Sequence, residues 1–191
     1  MSSKKVLIVY GTRYGSTAEI AKELAILMEN QGIATQIVNL KEVKRKSWPL
    51  IDEYDGILVG SSIKIGRWMK EPKKFLESNT KVFNMRGKVL GLFVSAGTAV
   101  SDYGKAKADY LEKEIQKLAI QVDIYDTFGV IFDFSESSRL GRFSKKILQS
   151  VATNLAKEKG IEIDLNGRNE ILNRERLQNF VEEFLTLVKN K

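Results

Sequence analysis

Residues 6–24 read VLIVYGTRYGSTAEIAKEL. An apolar run ends at Tyr10, glycine and hydroxyl residues fill 11–17, and a helix-spaced pattern follows. A continuous apolar run marks a strand buried on both faces. Ala21, Leu24, Ala25 and Met28 recur at helical spacing, so 16–30 is predicted as a helix closed by Gln31-Gly32. Where such a strand meets a helix start, several backbone N–H groups lack partners and the helix dipole is positive. An anion is stabilised there without any cationic side chain. Thr12, Ser16 and Thr17 add hydroxyls, and Gly15 permits a tight turn. The stretch suits a phosphate monoester; the competing reading is an N-cap and turn with no ligand. It lacks the lysine of GxxxxGK[ST] and the spacing of GxGxxG.

Further along, strand and helix patterns alternate. Strands are predicted at 34–40, 55–62, 88–97 and 122–132, with helices from Pro72 through Leu76 and from about 102 to 119. Repeated strand–helix–strand units imply a parallel sheet with helices on both faces. Ligands of such sheets bind beyond the carboxyl ends of the strands, so 11–17, 61–68 and 95–103 are expected to line the site. Ser137 to Lys159 reads as a helix with Leu140, Phe143, Ile147, Val151 and Leu155 on one stripe, followed by a polar loop, DLNGRN. A last helix from about Arg174 carries Leu177, Phe180, Val181, Phe184, Leu185 and Val188 on one face, as a helix packed on the sheet should.

The 191 residues suit a single domain, 1–191, with a sizeable core. Cysteine and histidine are absent, which excludes disulfides, thiol nucleophiles, iron–sulfur ligation and the usual zinc ligands. The commonest acid–base side chain near neutrality is missing too. No catalytic side chain and no metal ligand is therefore assigned, and difficult chemistry falls to a bound cofactor. The net charge of +7 fits an anionic lipid, an acidic partner or plain solubility. No nucleic-acid recognition motif accompanies it, so nucleic acid is not expected. No apolar stretch approaches the ~20 residues that span a bilayer. The N-terminal apolar segment is too short for a signal peptide, so a cytoplasmic location is expected.

TRYGSTAEIA resembles the phosphate loop of flavodoxin-like proteins, T-x-x-G-x-T before a helix, with Thr12, Gly15 and Thr17 in register. The resemblance implies an α/β doubly wound, five-stranded parallel sheet in the order 2-1-3-4-5, helices on both faces, and FMN held by its 5′-phosphate. GSSIKIGRWMKEPKKFLE (60–77) is similar to the loop and helix after the third strand in menaquinone-dependent protoporphyrinogen dehydrogenases, G-[AS]-S-I-[RK]-x-G. GVIFDFSESSRLGRFSKKIL (129–148) resembles the same branch, where a strand leads to an extra basic amphipathic helix near the C-terminus. TAVSDYGKAK (98–107) and 161–173 match nothing diagnostic of it. The resemblance implies an FMN-dependent oxidoreductase with a porphyrinogen substrate and a quinone acceptor. The alternatives are a flavodoxin-type electron carrier serving a redox protein partner, and a flavodoxin-fold binding protein.

The same comparison implies that 61–68 and 95–103 flank the flavin ring. Trp68 and Tyr103 are the candidates for stacking on it, each with local packing as the alternative. Amides of Ile63, Lys64, Ile65 and Gly66, and of Ala96, Gly97 and Thr98, are placed to bond its polar edges. Ser61, Ser62, Ser95 and Tyr14 complete the implied cofactor set. Arg13 either neutralises phosphate or points to solvent. Lys64 and Arg67 are candidates for substrate carboxylates. The segment 138–159 carries Arg139, Arg142, Lys145, Lys146, Lys157 and Lys159 against one acid, Glu158. It either lies peripherally on an anionic membrane near a quinone pool or packs on the sheet with its charges solvated.

Overall fold

A strand covered on both faces must be apolar on both, and β1 (Lys5–Gly11) is: Val6, Leu7, Ile8 and Val9 are fully buried. In the computed structural model, which describes residues 4–85, 87–138 and 140–191, β1 is flanked by β2 (Ala34–Asn39) and β3 (Gly56–Lys64). β4 (Val89–Ser95) and β5 (Ile124–Thr127) complete a parallel sheet in the order β2-β1-β3-β4-β5. Successive side chains point to opposite faces. Ile8 packs with Phe93 beneath α1 (Ser16–Glu29) and α5 (Arg174–Asn190), against Leu24, Met28, Phe180 and Phe184. Val9, Val59 and Leu92 face the other way, against Phe75, Leu76 and Phe83 of α2 (Lys70–Asn84) and Leu111 of α3 (103–118). Each such side chain contributes about 1.5–3 kcal/mol on burial.

The register sets the site. Gly11 pairs with Ser61 and Ser62 with Ser95, so the three expected loops leave the sheet side by side at its carboxyl edge.

The structure corrects several boundaries. α2 runs to Asn84 instead of stopping at Leu76, because Phe83 adds a further buried turn. The helix expected from about 102 to 119 forms at 103–118, and a further turn at Thr98–Ser101 precedes Asp102, whose carboxylate accepts the Lys105 N–H at 2.9 Å and caps α3. The strand expected at 122–132 divides at Phe128. β5 stays in the sheet, and β6 (Gly129–Asp133) leaves it to pair antiparallel with β7 (Arg168–Leu172), which includes part of the predicted DLNGRN loop. Gly129 makes the division possible. Its φ is 103°, and a Cβ there would lie 2.1 Å from the Ile171 carbonyl oxygen.

The basic helix is also shorter and differently turned. α4 spans Arg142–Lys159, and ahead of it the Asp133 and Ser138 side chains accept the Ser135 and Leu140 amides in local turns. Its packed stripe is Leu148, Ala152 and Leu155, against Val130, Phe132 and Phe134. Phe143, Ile147 and Val151, expected on one stripe with Leu155, are exposed at 78%, 40% and 46%, while Leu155 is buried. Arg139 lies outside the described residues. Among the described residues, no helix is long and apolar enough to cross a membrane.

Candidate cofactor site

The phosphate-type loop is built by a glycine N-cap. Gly15, at φ 95°, turns the chain into α1 and provides no capping side chain. The Ser16 and Thr17 amides therefore stand in the first turn with no intrahelical acceptor. The Thr12 hydroxyl accepts the Gly15 N–H at 3.0 Å and keeps its own proton for a ligand. Thr17 Oγ1 is buried and has no hydrogen-bond partner. Arg13 is exposed, donates from Nε to the Tyr14 hydroxyl and lies 5.3 Å over that ring. Tyr14 packs half-buried against the β6 and α4 cluster.

Ser16 differs from the expectation that its hydroxyl faces a ligand. Its Oγ accepts the Ile131 N–H at 2.8 Å and lies 2.6 Å from Ser95 Oγ. Ser95 Oγ in turn donates to the Gly129 carbonyl at 3.2 Å. The directions that satisfy every group run one way, from Ile131 N–H through Ser16 and Ser95 to the Gly129 carbonyl. This buried relay ties α1, β4 and β6 together and leaves Ser16 only its amide. The Ala96 amide is likewise taken, by Gly129 O at 3.2 Å. Gly97 and Thr98 remain at the start of the following turn, with the Thr98 hydroxyl 3.1 Å from that of Tyr110.

At the end of β3 the chain doubles back. Ile63 and Lys64 pair antiparallel with Trp68 and Arg67, and Ile65 and Gly66 form the tip. Both tip residues are left-handed, with φ of 48° and 69°, as a two-residue hairpin of this type requires. Isoleucine is a costly choice there, yet Ile65 is 89% exposed. Ser61 Oγ donates to the Ser62 carbonyl and accepts the Met69 N–H, both at 2.9 Å, so it holds the return in place. Ser62 Oγ is buried without a partner.

Both expected stacking residues are engaged by the protein itself. The return turns Trp68 into the core among Phe75, Val94 and Leu111, and its indole N–H donates to the Tyr110 carbonyl. The Tyr103 hydroxyl donates to Asp126 at 2.7 Å, and the Arg176 guanidinium lies 3.4 Å from its ring centre. Burial first, then the Asp126 hydrogen bond and charge, push the Tyr103 phenol up to about 12. Asp126, Ile131 and Arg176 were invisible to motif reading. Gly129 inside a strand pattern was the one signal of a break near them.

Two buried hydroxyls without partners, Thr17 in the first turn of α1 and Ser62 near the end of β3, thus stand at the carboxyl edge of the sheet, where the helix-start amides are free. Buried polar groups are rarely left unsatisfied, so this donor set calls for an acceptor-rich ligand. It fits a phosphate group beside the polar edge of a heterocycle. The flavodoxin domain family matches residues 7–160. The chain belongs to that family. Its cofactor is FMN, and its chemistry is that of an FMN-type oxidoreductase or electron-transfer protein. This flavodoxin-domain chain is 30% identical to protoporphyrinogen IX dehydrogenase [quinone] of Escherichia coli (strain K12) over 80 residues, 42% of each chain. The match therefore spans less than half of that curated relative. Among solved structures, rubredoxin oxygen:oxidoreductase from Desulfovibrio gigas superposes with a TM-score of 0.57 at 14% identity, over 97% of this chain and 36% of that one. A Streptococcus pneumoniae TIGR4 flavodoxin gives 0.52 at 16%, over 96% and 99%. At these identities the superpositions speak for the fold.

Proposed function

We propose that the chain is an FMN-dependent oxidoreductase that takes electrons from a porphyrinogen and delivers them to a quinone. Bound FMN supplies one- and two-electron redox chemistry. The Ser16 and Thr17 amides and the Thr12 and Thr17 hydroxyls hold its phosphate. The Ser62 hydroxyl and the amides of 63–66 and 97–98 serve its ring. The observation that carries the substrate reading is the hairpin tip. Ile65 stands exposed between Lys64 and Arg67, which face each other across the two strands. An apolar knob flanked by two cations suits a flat apolar macrocycle with carboxylate arms. The partial likeness to the quinone-dependent dehydrogenase supports the same reading.

A quinone acceptor would lie in a membrane, and the exposed face of α4 supports contact with an anionic one. Phe143, Ile147 and Val151 form an exposed apolar stripe, with Arg142, Lys145 and Lys146 beside it. Sedimentation with anionic vesicles at low salt is expected, and its loss in Phe143→Glu.

Anaerobic turnover tests the proposal. Protoporphyrinogen and a menaquinone analogue should yield fluorescent porphyrin only in the presence of the flavin-loaded protein. Lys64→Gln/Arg67→Gln should raise KM about tenfold with unchanged flavin content. A yellow protein that forms no porphyrin with any quinone would leave the electron-carrier reading in its place.

A further inference from the structure

The connection KEVKRKSWP (41–49) has no part in the cofactor site, yet it builds one wall of a groove on the sheet face opposite α1. Lys41 and Arg45 stand on that wall, and Lys70 and Lys74 face them from α2. Among the described residues none of these four cations forms an ion pair. Lys70 and Lys74 are one helical turn apart, an unfavourable spacing for like charges. Arg45 is fixed in advance. Its guanidinium lies 5.8 Å over the Trp48 ring and donates to Ser78 Oγ at 2.9 Å. Trp48 is itself anchored, its indole N–H shared between the Leu40 and Val43 carbonyls at 3.2 and 3.3 Å. The first turn of α2 opens beside the groove, and Met69 at its N-cap provides no capping oxygen.

We infer that this groove is a second anion site, distinct from the FMN loop, that takes the diphosphate group of a soluble ligand. Four unpaired cations on two walls face one carboxylate, Glu71, whose Oε2 is buried with no hydrogen-bond partner. Two cations on each wall match two linked anionic centres better than one. The cavity of about 220 Å³ is below the ~300 Å³ at which sites for whole drug-sized ligands begin, so it holds an anionic group and leaves the rest of its ligand outside. A pre-positioned arginine loses little freedom on binding. Glu71 repels the anion, so removing its charge is expected to strengthen binding.

Calorimetric titration of the FMN-loaded protein with inorganic pyrophosphate tests this. One saturable site is expected, with no flavin released. Lys70→Gln/Lys74→Gln should weaken binding at least tenfold, and Lys41→Gln, on the other wall, several-fold. Glu71→Gln should tighten binding several-fold. The inference is overturned if sulfate at matched ionic strength gives the same signal, if pyrophosphate displaces FMN, or if the charge variants bind as the parent does.

Discussion

The parallel sheet and the β6–β7–α4 unit beside it are held by different means. The sheet is covered on both faces, with Phe93, Phe75 and Phe184 almost wholly buried in two large clusters. The hairpin unit has one small cluster, Val130, Phe132, Phe134, Leu148, Ala152 and Leu155, and covers only one face of α4. It is fastened to α1 and β4 by the Ser16–Ser95 relay and to α1 by an ion pair from Arg168 of β7 to Glu19 (3.5 Å). A region with little apolar area against its neighbour relies on directional contacts. It is therefore expected to open before the sheet does.

The sharpest break of that comparison is a pair of truncations. Phe93→Ala and Phe134→Ala should each cost about 3–5 kcal/mol of local stability. Phe93→Ala should lower the global unfolding midpoint. Phe134→Ala should strip hydrogen-exchange protection from 129–172 and leave β1, β3 and β4 protected. Equal loss of protection everywhere would show that the two regions unfold as one. Ser16→Ala leaves the buried Ile131 N–H without an acceptor, at a cost of about 1–3 kcal/mol, and should show the same regional pattern.

Much of the sheet was legible because burial on both faces leaves no choice. Val6 to Val9 read as a central strand in any register, and Leu177 to Val188 present one uninterrupted stripe. The hairpin unit was not legible for a matching reason. α4 carries two apolar stripes, and only the position of Phe132 and Phe134 decides which of them packs. The site divides similarly. Gly15 and the hydroxyls of 12–17 announce an anion loop by local chemistry alone. The partner of Ser16 lies 115 residues away, and Trp68 faces inward because of the return set by Ile65 and Gly66, so neither could be read locally.

Two smaller effects sharpen the contrast. Ile65→Gly relieves a left-handed β-branched residue that buries almost nothing. It should raise stability by about 1 kcal/mol in thermal unfolding while weakening substrate binding. Hydrogen bonds from Arg174 and Arg168 hold the Glu170 carboxyl below its ordinary 4.5. A depressed folded pKa contributes stability above the unfolded value and loses it as pH falls through the folded one. Between pH 5 and 3 the parent should lose about 0.5–1 kcal/mol that Glu170→Gln has already lost, seen as protection of β7.

The central claim is that residues 12–17 grip a phosphate and leave the redox chemistry to the other end of the cofactor. Parallel fluorescence titrations of the flavin-free protein with FMN and with riboflavin, which lacks the phosphate, test it most directly. Charge-assisted bonds to the phosphate contribute about 1.5–3 kcal/mol each. FMN should therefore bind at least a hundredfold more tightly, with Thr17→Val removing about tenfold or more of that margin and none of the fold's stability. Equal affinity for the two flavins, or no binding of either, would contradict the account.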